Sequence, residues 1–391
     1  MTGTILIIGG QFGNQGAYLM LRAAADEVRR RFGAAPVVDF GLGTAAQRAQ
    51  AGVGTLWTPR AFRPTQRNRL VTVPGKLKRF SPFALPADVT GVLDISGFRY
   101  GDQWAHLPLQ KYAGYLAYWA QLGVPVYMMP QAFGPFESTA DASRPALASA
   151  RIVMSRDPDS ELHASNLLAG TNSSVVRFGD FTDSVKGYVP ASVSHLAGRI
   201  PVVANYNIAD RDGRDGYVET LTAIVQQILK NGDLPYGLVH GGVRDRDVLQ
   251  EVAAKVYDFP LVEGLDGEVQ KGLIGTAPYI VAGRFHAIVS ALSQGVPAVI
   301  HGWSHKYRWL ANDYGVEQLM APAVGAIPAN HVAMDLAQND AALRATVTEM
   351  ASKRAGETEM MWSAVYADYV DVNDKGLKSV ADDSSRVRTR P

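Results

Sequence analysis

An arginine, a histidine and a lysine just beyond two apolar runs carry the densest chemistry in this sequence. The first run, Tyr279-Ile280-Val281-Ala282, leads into Gly283-Arg284-Phe285-His286-Ala287; the second, Val296 to Ile300, leads into His301-Gly302-Trp303-Ser304-His305-Lys306. If each run is a strand and the next segment opens a helix, Arg284 and His286 lie in that helix's first turn, at the carboxyl edge of a sheet. That is where open α/β folds bind ligands. Unsatisfied N–H groups and the helix dipole favour an anion there. Arg284 adds a two-pronged cation suited to carboxylate or phosphate, and Lys306, one strand–helix step later, reaches for the same anion. Positive surroundings make His286 less basic, whereas a bound dianion makes it more so; the expected chemistry is anion binding that primes an acid. The same pair also suits an ordinary solvated helix start.

Other polar residues are less specific. His240, ahead of Gly241-Gly242, ends a further apolar run with no chemistry assigned to it. Asp180 and Asp183 have no histidine at metal-ligand spacing, so no metal site is expected. With no cysteine in the chain, disulfides, thiol nucleophiles and thiolate metal sites are excluded, which fits a reducing compartment.

The elements that must position these residues follow one grammar. Thr4 to Ile8 reads as a strand and Gly9 to Gly16 as a glycine-rich turn. Ala17, Leu21, Ala24, Ala25, Val28 and Phe32 then mark one face of a helix that Gly33 stops. Val37 to Phe40 completes a βαβ opening. The pattern recurs in the helix Leu109 to Gln121 with the strand Val124 to Met129, and in the strand, helix, strand series from Pro278 to Ile300. A second series starts near residue 200: strand Pro201 to Tyr206, helix Tyr217 to Leu229, strand Tyr236 to His240, helix Asp247 to Tyr257. Alternation of this kind predicts parallel sheets covered on both faces. The expected organisation is two Rossmann-type α/β domains, 1–195 and 196–374, whose sheets face each other across a cleft, and a flexible tail, 375–391.

Composition agrees. A chain of 391 residues, 47% apolar and 19% charged, has material for two or three folded domains. Thirty-eight basic against 37 acidic residues give a net charge of +1, so no whole-molecule attraction to nucleic acid is expected. The run Ile5 to Ile8 is too short for a signal-peptide core, and no stretch approaches the ~18 apolar residues of a membrane span. Residues 41–87 hold Arg48, Arg60, Arg63, Arg67, Arg69, Lys76, Lys78 and Arg79 with no acidic residue. This basic, aromatic-rich excursion suits a solvated loop or a peripheral contact with an anionic membrane.

Several of these segments together resemble the polysaccharide pyruvyl transferase family. Gly283-Arg284-Phe285-His286-Ala287, Ala291-Leu292, Gly295-Val296-Pro297 and Lys306 resemble its C-terminal signature. Gly10-Gln11-Phe12-Gly13-Asn14-Gln15-Gly16 is similar to its Gly-Asn-x-Gly loop. Met129-Pro130-Gln131-Ala132-Phe133-Gly134-Pro135-Phe136 is similar to its Gln-x-x-Gly-Pro loop, and Ser155-Arg156-Asp157 with Ser160 to its Arg-Asp-x-x-Ser segment. The matches keep the family's order from about residue 5 to 315. The resemblance implies a GT-B-like fold and transfer of the enolpyruvyl-derived group of phosphoenolpyruvate to a sugar, giving a cyclic 1-carboxyethylidene ketal. It implies His286 as the acid, Arg284, Arg156 and Lys306 on phosphoenolpyruvate, and Asp102 as the base. Asn14, Gln131 and Asp102 are implied on the acceptor. Asp102 falls in Gly97-Phe98-Arg99-Tyr100-Gly101-Asp102, where the family commonly has consecutive glycines and this chain has Gly97-Phe98. The donor is a substrate and the chemistry calls for no metal or further cofactor. The implied acceptor is a sugar or lipid-linked glycan, and the implied location is cytoplasmic, at the inner face of the plasma membrane.

Rival readings remain at this level. A nucleotide-sugar glycosyltransferase of the same architecture would hold a ribose through a glutamate, with Glu263 or Glu268 in position for it. A dinucleotide oxidoreductase fits less well, because the spacing Gly10-x-x-Gly13-x-x-Gly16 is not Gly-x-Gly-x-x-Gly. A non-catalytic carbohydrate-binding protein leaves Arg284 and His286 without a reagent.

Overall fold

The computed structural model describes residues 3–57 and 83–387; most of the basic excursion, and with it the expected membrane contact, lies outside the described residues. The chain divides into two compact units. Unit 1 comprises 1–10, 24–178 and 359–391, and unit 2 comprises 11–23 and 179–358.

Unit 1 is built on an eight-stranded sheet in the order β4-β3-β2-β1-β5-β6-β7-β8. Its strands are β1 (Thr4–Ile8), β2 (Ala35–Asp39), β3 (Gly54–Leu56), β4 (Phe83–Ala84), β5 (Val89–Asp94), β6 (Val126–Gln131), β7 (Ile152–Ser155) and β8 (Ser174–Arg177). All pairings are parallel. Every residue of β1 and β6 is buried, which is why these strands read as continuous apolar runs rather than alternating ones. The helix Leu109–Gln121 turns Leu109, Ala113, Leu116 and Trp119 onto this core.

The last described element is a helix, Ala341–Val387. Its unit 1 portion packs Trp362, Tyr366 and Tyr369 edge-on around Phe32. Asp368 there accepts from Tyr127 Oη at 2.8 Å and pairs with Arg151 at 2.6 Å.

Unit 2 carries a five-stranded parallel sheet in the order β11-β10-β9-β12-β13. These strands are β9 (Ile200–Val203), β10 (Pro235–Leu238), β11 (Leu261–Val262), β12 (Ile280–Ala282) and β13 (Ala298–Ile300). Val202, Val203, Leu238, Ile280, Val281 and Val299 are fully buried in its core, each contributing roughly 1.5–3 kcal/mol. The segment 11–23 clusters with this unit for a visible reason. Tyr18 Oη donates to Glu268 Oε2 at 3.2 Å, Arg22 pairs with the same oxygen at 3.1 Å, and Gly267 has no side chain to hold Leu19 and Gln15 away.

Candidate functional site

In unit 2 the chain runs from β9 outward to β10 and β11, then crosses to β12 on the other side of β9. Asn205 follows β9 and Arg284 follows β12, so both stand at the switch point where an open α/β sheet binds ligands. The strand end is fixed tightly. Asn205 Nδ2 and Tyr307 Oη both donate to Gly283 O, at 2.7 and 3.0 Å. A Cβ on Gly283 would stand 2.8 Å from Tyr217 Oη and 2.9 Å from Ile208, so only glycine fits between them.

Arg284 is the N-cap of the helix Phe285–Leu292, with extended backbone, rather than a first-turn residue as the sequence suggested. Its Nε and Nη2 donate to Asp245 at 2.6 and 2.5 Å, so one fork of the guanidinium is already occupied. Asp245 is fully buried and also accepts the Tyr206 N–H at 3.0 Å. Burial opposes the arginine charge, but the adjacent Asp245 wins and holds the guanidinium above its ordinary pKa. The Tyr206 ring lies 5.0 Å from the guanidinium carbon. Asp245 falls in this position because the helix there runs Val243–Ala253, four residues earlier than the apolar spacing suggested.

His286 is the second residue of the same helix. Its imidazole fits against Gly16: a Cβ built there would come within 2.3 Å of Nδ1 and 2.5 Å of Cγ. The last glycine of the glycine-rich loop therefore makes room for the ring. On the other side, Nε2 is 3.4 Å from Asp180 Oδ2, and both side chains are largely buried. The loop is tied down by Gln15 N–H donating to His240 O at 3.2 Å, while Asn14 Oδ1 accepts the Gly16 N–H at 3.0 Å, an N-cap bond for the helix Gln15–Arg30.

Lys306 opens the helix His305–Asp313 and its ammonium lies 5.2, 5.3 and 5.5 Å from the ring centroids of Phe285, Trp303 and Tyr307. Cation–π attraction to three rings holds it beside the residue between Arg284 and His286. His240, which the sequence left without a role, is buried, and both ring nitrogens lack a hydrogen-bond partner among the described residues. Burial, then the charges of Arg284 and His286, push its pKa down to about 3, so it stays a neutral imidazole.

The remaining expected site residues belong to unit 1. Gln131 ends β6 fully buried, and neither side-chain amide atom has a hydrogen-bond partner among the described residues. A native site rarely leaves such a group unused. Arg156 is buried and its Nη2 donates to Gly97 O at 2.6 Å. The neighbouring motif residues are structural: Asp157 caps Ser160 N–H at 2.8 Å, and Ser160 Oγ accepts from Phe133 N–H at 2.9 Å, which fixes the Gln131–Pro135 loop. Asp102 accepts from the backbone N–H groups of Glu137, Ser138 and Thr139 and from the Ser138 and Thr139 hydroxyls. The cost of burying its charge is outweighed by these bonds, and its pKa falls to about 2. As placed here it staples a loop, and acting as a base requires some of those bonds to break. Among the described residues no cluster of metal-ligating side chains occurs, and no helix is long and apolar enough to cross a membrane. Glu268, bound to Tyr18 and Arg22, is committed to structure.

Solved structures of the same architecture define the class of fold. MnaA of S. aureus, in a co-structure with UDP, superposes with a TM-score of 0.62 at 11% identity, over 95% of this chain and 98% of that one. The UDP-GlcNAc 2-epimerase of Neisseria meningitidis bound to UDP-GlcNAc gives 0.61 at 10%, over 93% and 99%. The glycosyltransferase SnogD from Streptomyces nogalater gives 0.53 at 14%, over 94% and 100%. The fold is GT-B-like. No curated protein matches the sequence significantly. The profile of the polysaccharide pyruvyl transferase family matches residues 14–305, and the chain belongs to that family. The matched span contains Asn14, Asp102, Gln131, Arg156, Arg284 and His286; Lys306 follows it directly.

Proposed function

We propose that this transferase moves the enolpyruvyl-derived group of phosphoenolpyruvate onto two hydroxyls of a hexose in a cell-surface glycan, glycolipid or precursor, releasing phosphate. The observation that carries this reading is the shared helix start of Arg284 and His286 at the unit 2 switch point, in a chain of a pyruvyl transferase family. Within unit 2, the helix N-terminus, Lys306 and the guanidinium edge of Arg284 away from Asp245 are assigned to the carboxylate and phosphate; Arg156, in unit 1, is assigned to the donor on the family resemblance alone. His286 gives a proton to C3, which becomes the methyl carbon, and C2 becomes electrophilic. An acceptor hydroxyl bonds to C2 as its proton passes to a base, the C2–O bond to phosphate breaks, and the second hydroxyl bonds to C2 and gives its proton to the now neutral His286 imidazole, closing the ketal. Gln131, whose buried amide seeks partners, and Asn14 are assigned to the acceptor. Asp102 is assigned first to shaping the acceptor loop, and its role as base is tested by Asp102→Asn, which keeps the Oδ1 bonds.

Labelled phosphoenolpyruvate incubated with a panel of hexosides tests the reading. Orthophosphate release together with the mass gain of one carboxyethylidene group on the sugar is expected, and His286→Gln lowers turnover by about 10²–10⁴-fold. Neither product in any acceptor reaction overturns it. Arg48 is buried and donates to Thr55 Oγ1 and to backbone carbonyls, so it belongs to the fold; the remaining basic residues of 41–87 are assigned to an anionic membrane at the cytoplasmic face, where lipid-linked acceptors reside. Co-sedimentation with liposomes that does not depend on anionic lipid removes that assignment.

A further inference from the structure

Asp180 stands outside every motif that pointed to the site, yet it is the carboxylate that His286 faces. Its Oδ2 lies 3.4 Å from Nε2 with a side chain that is 4% exposed. It is held from its own side, since Oδ1 accepts from Thr182 N–H at 2.9 Å and Thr182 Oγ at 2.6 Å, as cap of the turn Phe181–Ser184. That turn is anchored by a buried lysine: Lys271 Nζ donates to Thr182 O at 2.7 Å and to Asp183 O at 3.3 Å. Asp183 in turn accepts from Thr358 Oγ at 3.1 Å. Burial pushes Asp183 up to about 7 and Lys271 down to about 8. The titratable groups in this environment include Asp180, Asp183, Lys271 and the buried Tyr314 from one side and Arg284 and His240 from the other; Gly16, against Nδ1, brings no charge.

A carboxylate behind an imidazole orients the ring, selects its tautomer and stabilises the imidazolium. We infer that Asp180 is the positioning residue of His286: facing Nε2 at 3.4 Å, it favours the proton on that nitrogen and stabilises the imidazolium form that the acid role requires. This deepens the reading of His286 as the acid and rests on it.

The test is made on the intact chain by NMR titration of ¹⁵N/¹³C-histidine, with His286 assigned by the His286→Gln variant. In the wild type the neutral imidazole is expected as the Nε2–H tautomer. Asp180→Asn, which keeps an acceptor for Thr182, is expected to lower the His286 pKa by about one unit or more. It should also reduce kcat at least ~10-fold with KM for phosphoenolpyruvate little changed, and Asp180→Glu should restore part of both. A wild-type Nδ1–H tautomer, or an Asp180→Asn titration that superposes on the wild type, overturns the inference whether or not the variant is active. If the tautomer and shift appear but the wild type releases no phosphate from phosphoenolpyruvate, the pairing stands and the transferase reading fails.

Discussion

A methyl group at Gly16 tests the construction of the site more sharply than removal of any catalytic side chain. Built on the existing backbone, it falls 2.3 Å from His286 Nδ1, 2.5 Å from Cγ and 2.8 Å from Cβ. Non-bonded heavy atoms settle at about 3.5–4.0 Å, so the imidazole or the start of the helix Gln15–Arg30 must move by about 1 Å. The ring has little slack, because Asp180 stands 3.4 Å behind Nε2. Overpacking of this kind costs about 1–3 kcal/mol, and alanine returns up to about 1 kcal/mol over glycine in a helix. The melting temperature of Gly16→Ala should therefore fall by only a few degrees. Turnover is far more sensitive, since a 1 Å misplacement of a reacting group costs about 10²-fold. Phosphate release from phosphoenolpyruvate with a hexoside acceptor, measured beside a thermal melt, separates the two effects. Gly13→Ala is the control in the same loop, because nothing lies within 4 Å of a Cβ there. A Gly16→Ala protein that turns over at the wild-type rate would refute the packing of His286 against the glycine loop.

Gly241→Ala should act on the other functional side chain, because its Cβ would stand 2.3 Å from both Arg284 Nη2 and Asp245 Oδ2. The expected result is a raised KM for phosphoenolpyruvate, and an unchanged KM would show that the ion pair is not part of the binding site. Arg284→Ala leaves Asp245 buried without its cation, at a cost of about 3–5 kcal/mol. Much of that loss should be recovered in the double variant Arg284→Met/Asp245→Asn, as denaturant unfolding can measure. Acid should destabilise the fold through two buried histidines, His240 at about 3 and His301 at about 4, both lowered from 6.5 chiefly by burial. Between pH 6.5 and 4 the unfolded chain binds these two protons and the folded chain does not, so their stability is lost as pH falls. Asp183, raised by burial to about 7, opposes them by binding one proton in the folded state. The net slope of the three is about 1.4 kcal/mol per pH unit, and Asp183→Asn should roughly double it. Replacing His240 and His301 together with glutamine should reverse its sign, and equilibrium unfolding across this range that shows neither change would contradict the assigned protonation states.

What the sequence made legible was local. The apolar runs before Gly9, Gly283 and His301 are strands because parallel, doubly covered strands must be apolar throughout, and Arg284 and His286 could be placed at a strand's carboxyl end for that reason alone. Their partners were not legible. Asp245 reaches Arg284 from another strand–helix unit, and it does so only because its helix begins at Val243. Metal-ligand spacing tests only short-range pattern around Asp180, whereas its neighbour His286 comes to it through the fold. Asp102 shows the same limit in reverse. Its motif position suggests a base, but the donors that saturate it come from Glu137, Ser138 and Thr139, which no spacing rule connects to it.

The buried carboxylate behind Arg284 raises a question of economy, because it cancels much of the charge that an anion site requires. A lone guanidinium at this depth would be expensive to desolvate, and its long side chain would keep several rotamers. Asp245 removes both problems by taking the Nε–Nη2 fork, which fixes the orientation of the guanidinium while neutralising much of its charge. For the proposed anion, the N–H groups at the start of the helix Phe285–Leu292 and the Lys306 ammonium, which lies among three rings, are further sources of attraction. Gly16 makes room for the His286 ring, Gly241 for the Arg284–Asp245 fork, and Gly283 for the packing of Tyr217, Ile208 and Asn205 at the strand end. None of the three has a positive φ, and each would drive a Cβ to within 3 Å of a site atom. What the three glycines share is space, not backbone freedom: the ring, the fork and the strand end are packed into positions that a single methyl group would disturb.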